Sequence, residues 1–409
     1  MSQRNGRVVV VGGGLAAGTL VTELRKGGHD GPITLFTDEP RAPYERPPLS
    51  KDLLLGKGTE EKAFVHEESW YAENDIDLHT GSAVTSVDVA THEVVTGGDR
   101  ASYDHLVLAT GSRPRHLRIA DESGAPVVYL RTMEDSRRIK SALTAGTRIG
   151  IVGGGWIGLE VASAARNADA EVTLVESLEQ PLLRVLGPEV SAIFAGLHRE
   201  HGVDLRLGAS LRGISRAGEG AVLELADGDP VACDLVVVGI GVEPVTELAT
   251  AAGLAVDNGI RTDDHLRTGS RNVYAAGDVA NADHPLLQRP VRVEHWDTAI
   301  QHGKVVARNI LGEQAEHTEL PYFFTDQYDL GMEYVGSPGP DGYDRVVVRG
   351  IRDGDRVFTA WWLRDGRVVA GMHANDWDAI SDVRRIVGTI VDGDRLADEK
   401  VPLSEFGAE

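Results

Sequence analysis

Two glycine-rich segments, residues 8–18 and 148–165, constrain the fold of this chain more than any other feature. In each segment a β-branched run leads into glycines and then into a stretch suited to a helix. Both segments fit the pattern G-x-G-x-x-G/A. The positions that fit it are Gly12, Gly14, Ala17, Gly153, Gly155 and Gly158.

This spacing has a physical reason in a strand–turn–helix unit that binds a dinucleotide. The first glycine allows a tight turn, the second lets pyrophosphate approach the backbone, and the third lets helix and strand pack closely. The helix N-terminus then presents free N–H groups and the positive end of its dipole to the phosphates. A single copy is compatible with a turn that binds nothing. Two copies about 140 residues apart predict an α/β protein with two dinucleotide sites.

Each segment is followed by a second strand-like run that ends near an acid, Asp38 in the first copy and Glu176 in the second. Such an acid accepts hydrogen bonds from a ribose hydroxyl. A carboxylate at position 176 would also repel a 2′-phosphate, which favours NADH over NADPH. Arg184 keeps NADPH open, and its alternative interpretation is a solvated helix residue.

The charge balance excludes several classes of function. The chain has 41 Lys and Arg against 63 Asp and Glu, a formal net charge of -22. A nucleic-acid binder needs a basic footprint, so no nucleic-acid partner is expected, and an anionic membrane surface is equally disfavoured. No apolar run is long enough for a transmembrane helix.

The chain has one cysteine, Cys233, so it can form neither an intrachain disulfide nor a CxxC redox pair. A cytoplasmic location is therefore expected. No metal site is predicted.

Three further strand-like runs end in glycine: LVLATGSRP, LVVVGIGVEP and VYAAGDVA, the last followed by an expected helix. With the two fingerprints, their order resembles the two-dinucleotide flavoprotein family that includes glutathione reductase. The resemblance implies two Rossmann-like domains, the second inserted in the first. The FAD domain would cover 1–112 and 246–320, and the NADH domain 113–245.

A C-terminal α+β domain is expected over 321–409. Its alternating apolar runs around Asp-Gly turns predict an antiparallel sheet, followed by a helix from about Trp377.

Four motifs narrow the resemblance: PYERPPLSKDLL, YLRT, GGGWIGLE and RVEHWDTAIQHG. Together they resemble the oxygenase-coupled, NADH-dependent ferredoxin reductases. That resemblance implies an enzyme passing electrons from NADH through FAD to an acidic 2Fe–2S ferredoxin, or to a rubredoxin. The ferredoxin would supply a haem monooxygenase or a ring-hydroxylating dioxygenase. A monomer or weak homodimer is expected. An NADH oxidase, a quinone or small-acceptor reductase, and a redox-sensing flavoprotein remain open as alternatives.

The lone cysteine separates the chain from the disulfide reductases of this superfamily. Those relatives need a CxxxxC pair near the place where Ser50 and Lys51 stand here. Electrons are therefore expected to leave the flavin directly to an acceptor.

The resemblance also implies site residues. It places Lys51 beside flavin N5, paired with Glu160, as the catalytic residues. It makes Arg46 and Arg131 pyrophosphate or ribityl contacts and Asp278 a ribityl contact, with a helix N-cap as the alternative for Asp278. The residues implied for FAD are Gly12, Gly14, Leu15, Ala16, Ala17, Asp38, Arg46, Lys51, Val84, Ala109, Thr110, Gly111, Arg131, Gly277, Asp278, Glu294, His295, Trp296 and Phe324. Those implied for NAD are Gly153, Gly155, Ile157, Gly158, Glu160, Glu176, Arg184 and Gly241.

Two positions depart from the family pattern: Phe324 stands where Trp is usual, and Val245 where Asn is usual. The acidic balance raises a further question, because an acidic partner needs a local basic face on this chain. The candidates for that face are Arg113, Arg115, His116, Arg118, Arg289 and Arg292.

Overall fold

Strands and helices alternate through most of the chain, and strands dominate its C-terminal part. A computed structural model describes residues 5–350 and 356–407. The helices there are α1 (Leu15–Lys26), α2 (Glu68–Glu73), α3 (Arg118–Asp121), α4 (Met133–Ala142), α5 (Trp156–Asn167), α6 (Leu183–Glu200), α7 (Glu247–Ala251), α8 (Trp296–Ile310), α9 (Ile380–Ile386) and α10 (Gly393–Ala397).

The strands in the same ranges are β1 (Val8–Val11), β2 (Ile33–Phe36), β3 (Ile76–His79), β4 (Ser86–Asp88), β5 (Glu93–Val95), β6 (Arg100–Ser102), β7 (His105–Leu108), β8 (Ser112–Pro114), β9 (Val127–Tyr129), β10 (Arg148–Val152), β11 (Glu171–Glu176), β12 (Asp204–Leu207), β13 (Leu211–Ala217), β14 (Gly220–Leu225), β15 (Val231–Cys233), β16 (Leu235–Val238), β17 (Val242–Pro244), β18 (Ile260–Thr262), β19 (Val273–Ala275), β20 (Ala280–His284), β21 (Arg289–Val291), β22 (Tyr322–Gln327), β23 (Leu330–Gly336), β24 (Arg345–Arg349), β25 (Phe358–Arg364) and β26 (Arg367–Ala374).

The chain divides into two units. The segments of the first unit are Met1–Pro47, Thr59–Arg113 and Val242–Pro321. Those of the second unit are Pro48–Gly58, Pro114–Gly241 and Tyr322–Glu409. The eleven-residue segment Pro48–Gly58 therefore belongs to the second unit, although first-unit sequence flanks it on both sides. The division into FAD, NADH and C-terminal domains stays a prediction.

The first unit is built on a parallel sheet in the order β19-β7-β1-β2-β3. All four residues of β1 are buried because both faces of the sheet are covered. Val8 and Val10 join a core cluster with residues of α1 and α8, whereas Val9 and Val11 join a separate cluster on the opposite face. The first fingerprint connects β1 to α1.

The second unit contains a parallel sheet in the order β12-β11-β10-β16-β9, and the second fingerprint connects β10 to α5. It also contains the predicted antiparallel C-terminal sheet, in the order β22-β23-β26-β25-β24. The two sheets share one core cluster, to which Leu174 of β11 and Trp362 of β25 both contribute. The Trp362 indole donates to the Leu186 carbonyl at 3.0 Å. The α/β class of fold is confirmed.

Two local expectations were wrong. The helix expected after Asp278 is a single 3₁₀ turn, Gly277–Val279, because the following residues form β20 and pair with β18 and β21. The run SAVTSVD, which holds Val84, forms a strand over Ser86–Asp88 alone.

Near Trp377 a 3₁₀ turn leads into α9, as predicted. Within the described ranges, no helix combines the length and the apolar character needed to cross a bilayer.

Candidate functional site

The first fingerprint turn lies tightly against the ATG segment. Gly12 has a φ of +123°, and a Cβ built on it would lie 2.0 Å from the Ala109 carbonyl oxygen. A side chain is therefore excluded there by contact as well as by conformation. Ala109 donates its N–H to Val11 at 2.8 Å, which keeps the ATG segment in this place. The two motifs thus form one structural feature.

The second glycine of this turn borders open space. A Cβ on Gly14 would meet no atom within 4 Å. Gly14 is the N-cap of α1, no side chain caps this end, and the first turn of the helix contains no acid. The N–H groups and the positive dipole end therefore face a space that a phosphate can enter. This geometry fits the pyrophosphate of a dinucleotide.

The second fingerprint repeats the arrangement. Gly153 has a φ of +108°, and its Cβ would lie 2.3 Å from the Gly239 carbonyl oxygen, at the end of β16. Beside Gly155, the uncapped N-cap of α5, the nearest atom to a Cβ would be that same oxygen, at 3.9 Å. The third glycine, Gly158, is required because its Cβ would lie 2.1 Å from the Gly153 carbonyl oxygen. This turn fits a second pyrophosphate.

The acid after the second fingerprint supports the turn itself. Glu176 is the last residue of β11, and its carboxylate accepts the Gly154 N–H at 2.6 Å and the Leu178 N–H at 2.8 Å. Oε1 also accepts the Ser177 hydroxyl at 3.0 Å, so the remaining lone-pair capacity for a ribose hydroxyl is on Oε2. Arg184 lies exposed in the first turn of α6, as either of its two interpretations requires.

The first unit differs at the corresponding point. Val11 pairs with Phe36 as Val152 pairs with Val175, so Thr37 is the counterpart of Glu176. Asp38 lies one position further along and is exposed. Asp38 follows Gly12 by 26 positions whereas Glu176 follows Gly153 by 23, so the sequence already indicated that the two acids are not equivalent.

An acid that the sequence analysis missed lies next to Asp38. The Glu39 carboxylate forms an ion pair with Arg46 at 2.6 Å and accepts a hydrogen bond from the buried Tyr44 hydroxyl at 2.5 Å. The Arg46 guanidinium also lies 4.4 Å from the centre of the Tyr44 ring. These contacts hold Arg46, a predicted FAD contact, in a defined place in the first unit.

Lys51 and Glu160 form an ion pair in the second unit. The distance from Lys51 Nζ to Glu160 Oε1 is 2.7 Å, and the side chains are 14% and 4% exposed. Glu160 also accepts hydrogen bonds from the Ser50 hydroxyl at 2.5 Å and the Thr325 hydroxyl at 2.6 Å. Thr325 could not be identified as a partner from the sequence, since it is 165 residues from Glu160.

Phe324, at the position where the family has Trp, lies beside Lys51. The ammonium nitrogen is 5.2 Å from the centre of the Phe324 ring, within the range of a cation–π contact. The C-terminal strand β22 therefore contributes to the surroundings of Lys51 through both Phe324 and Thr325.

The turn at Asp278 is held by several contacts within the first unit. Its carboxylate accepts the Ser112 hydroxyl at 2.7 Å. Its carbonyl oxygen lies 3.3 Å from a guanidinium nitrogen of Arg292, which also pairs with Glu294. The Arg292 side chain is only 9% exposed. It therefore does not belong to an exposed basic face.

The Glu-His-Trp motif opens a helix as expected. α8 begins at Trp296, and His295 is its N-cap. The Trp296 indole donates to Glu45 at 2.9 Å, so this end of α8 is tied to the segment that precedes the PPLSK motif.

The other predicted residues have these surroundings. Val84 is half-buried and precedes β4. Arg131 lies in the second unit, just before α4, and its N–H donates to Asp135 at 3.1 Å. The Thr110 hydroxyl donates to the Val245 carbonyl at 2.7 Å. Val245, which stands where Asn is usual in the family, therefore contributes through its main chain. Ile157, on the first turn of α5, is 39% exposed.

Most members of the predicted basic face are already paired with acids. Arg113 pairs with Glu243 at 2.8 Å and with Glu247. Arg118 pairs with Glu122 and His116 with Asp121. These pairs reduce the positive charge that was expected to attract an acidic partner.

Cys233 has the environment of a structural residue. It is 2% exposed at the end of β15, and burial raises the pKa of its thiol to about 11. A thiol is a poor nucleophile until it is deprotonated. A Cβ on Gly150 would lie 2.9 Å from its sulfur, so this thiol is packed against β10.

Two dinucleotide turns of this kind, each on its own parallel sheet, define a pyridine-nucleotide oxidoreductase with a second dinucleotide cofactor. A family model for pyridine nucleotide-disulphide oxidoreductases matches residues 6–303, and a reductase C-terminal model matches residues 322–407. The chain belongs to the pyridine nucleotide-disulphide oxidoreductase family, whose members use FAD and NAD(H).

Known relatives match nearly the full length. The ferredoxin–NAD(+) reductase component of the anthranilate 1,2-dioxygenase system of Burkholderia cepacia is 41% identical over 404 residues, covering 97% of this chain and 98% of that protein. Putidaredoxin reductase of Pseudomonas putida is 39% identical over 415 residues, covering 98% and 97%. Among solved structures, the covalent putidaredoxin reductase–putidaredoxin complex has a TM-score of 0.93 at 38% identity, covering 98% of each chain. The resemblance to oxygenase-coupled ferredoxin reductases is confirmed.

Proposed function

We propose that this chain is an NADH:ferredoxin oxidoreductase, passing electrons from NADH through FAD to a small iron–sulfur ferredoxin that supplies an oxygenase. This proposal rests on the presence of two dinucleotide turns in a chain whose single cysteine is buried. Since no protein thiol is available to the flavin electrons, they must leave to an external acceptor. The names of the two relatives support a ferredoxin as that acceptor.

FAD, when bound, would supply the chemistry that converts the hydride of NADH into single electrons for such a carrier. The role of the protein is to bind and orient the two dinucleotides. The N–H groups at the starts of α1 and α5 bind the two pyrophosphates. Glu176 accepts from the NADH ribose and disfavours a 2′-phosphate, and Asp278 accepts from the FAD ribityl chain. Arg46 and Arg131 contribute positive charge toward FAD.

Lys51 is proposed to favour the anionic reduced flavin through its charge. Its ammonium group contacts both Glu160 and Phe324, which supports a fixed electrostatic role. A preorganised charge needs no reorganisation when the flavin becomes anionic.

The acceptor is proposed to be an acidic 2Fe–2S ferredoxin, with a rubredoxin as the other small carrier to test. Because Arg113, His116 and Arg118 pair with neighbouring acids, we expect a weak dependence of the rate on salt. We further propose a cytoplasmic protein, on the ground of its single cysteine, and a monomer or weak homodimer.

The purified protein should be yellow, and NADH should bleach it without oxygen. Stopped-flow reduction of 2Fe–2S ferredoxins and rubredoxins, compared with oxygen and quinones, tests the acceptor. Rapid turnover with oxygen or quinone alone would show an oxidase or small-acceptor reductase instead. Slow turnover with every acceptor, together with an NADH-dependent change in oligomer size, would show a redox sensor.

A further inference from the structure

Three buried histidines lie together in the first unit, outside the contacts described above. His284, His302 and His317 are 2%, 2% and 4% exposed. The His302 and His317 rings meet edge to face with centres 4.4 Å apart, and the His284 and His317 rings are 5.2 Å apart. Buried histidines need a structural reason, because burial of a polar ring costs free energy unless it is hydrogen-bonded.

His302 has such a contact, and it is with the turn that carries Asp278. The Gly277 N–H donates to His302 Nδ1 at 3.2 Å. An N–H donor requires a lone pair on Nδ1, so the ring proton must be on Nε2. Nε2 has no hydrogen-bond partner among the described residues. Burial, with His317 and His284 nearby, keeps the pKa of His302 well below its usual value, so the ring is neutral.

The contact lies where three elements of the first unit meet. Gly277 has a φ of +75°, and a Cβ there would be 3.1 Å from the Ala16 Cβ, in the first turn of α1. On α8, the next residue after His302 is Gly303, whose Cβ would lie 2.8 Å from the Ala16 carbonyl oxygen. The turn, α8 and the N-terminal end of α1 therefore have little freedom to shift relative to one another.

We propose that His302 is a positioning residue for FAD. As a neutral acceptor for the Gly277 N–H, it holds the turn Gly277–Val279 against the start of α1, so that Asp278 is presented to the flavin while α1 binds its pyrophosphate. The inference rests on the proposed FAD contacts of Asp278 and α1. It adds a residue, buried on α8, whose hydrogen bond is with the main chain of the turn.

The test separates the effect of the hydrogen bond on FAD binding from the effect of side-chain packing. In a His302→Asn variant, Oδ1 takes the place of Nδ1 on the same γ carbon, so the acceptor remains although ring volume is lost. In a His302→Leu variant, much of the volume remains but the acceptor is lost and the Gly277 N–H is left unpaired. We expect His302→Leu to bind FAD about tenfold more weakly and His302→Asn to stay within about twofold of the unmodified protein.

The measurement is the FAD Kd of the apoprotein, from quenching of flavin fluorescence. His29→Leu is the matched control, because His29 is a buried histidine of the same unit that lies between α1 and β2 and not on α8. Its FAD Kd should not change. Equal Kd values for His302→Leu and the unmodified protein would overturn the proposal, as would His302→Asn being as weak as His302→Leu.

If the His302→Leu protein does not fold, ¹⁵N-histidine NMR of the unmodified holoprotein tests the proposal through the protonation state of His302 Nδ1. The resonance of His302 Nδ1 should be that of an unprotonated nitrogen at pH 7, and a protonated Nδ1 would overturn the proposal. Failure of the proposed function looks different, since the unmodified protein would then bind no FAD at all.

Discussion

Replacement of Glu160 by Gln tests the ion pair that joins the segment Pro48–Gly58 to the rest of the second unit. The carboxylate is 4% exposed and accepts from Ser50, Lys51 and Thr325. Gln keeps the size, but it removes the charge and turns one acceptor into a donor that faces other donors. Removing one partner of a buried pair costs about 3–5 kcal/mol. Because Lys51 remains 14% exposed, we expect the lower end, about 3 kcal/mol.

The assay is urea unfolding followed by fluorescence and circular dichroism, in a double-mutant cycle with Lys51→Met. The coupling free energy should be about 2–3 kcal/mol, because each single change leaves one charge without its partner. Glu171→Gln is the matched control, since Glu171 is an exposed acid on β11 of the same unit, and it should shift stability by less than about 0.5 kcal/mol. A Lys51–Glu160 coupling of 1 kcal/mol or less, typical of exposed pairs, would refute this reasoning.

Gly155→Ala should leave the fold intact, since its Cβ would lie at an ordinary contact distance, 3.9 Å, from the Gly239 carbonyl oxygen, yet weaken NADH binding at least about tenfold in a titration; an unchanged Kd would contradict the proposed pyrophosphate site. Glu176→Gln should lower the ratio of kcat/KM for NADH to that for NADPH, and a constant ratio would show that the carboxylate does not discriminate. Lys51→Ala should slow flavin reduction or shift the flavin potential, and if neither changes, the role of Lys51 is wrong. Burial lowers the pKa of His198 to about 4, below its unfolded value of about 6.5. The unfolded state therefore binds more protons between these values, and stability falls by about 3 kcal/mol as pH drops from 6.5 to 4. His198→Gln preserves an acceptor or donor toward Gln327. It should reduce the difference between the free energies of unfolding measured in urea at pH 7 and at pH 4.5, and an unchanged difference would contradict this prediction.

Short-range patterns predicted much of the fold. The fingerprints, the ATG segment and the Glu-His-Trp helix start are each encoded within about a dozen residues, and their local geometry follows from glycine, β-branched and helix-forming residues. The wrong prediction after Asp278 has the same origin. Those residues suit a helix locally, but pairing of β20 with β18, about twenty residues earlier, determined a strand.

The sequence by itself determined the two dinucleotide turns, the parallel sheets, the antiparallel C-terminal sheet and the absence of a redox cysteine pair, because these depend on residue type and local spacing. Only the tertiary structure decided which side chains meet across long separations. It brought Thr325 and Ser50 to Glu160, and His302 to Gly277. It also paired Arg113 of the expected basic face with Glu243 and Glu247, since packing selects partners that are 130 and 134 residues away in the sequence.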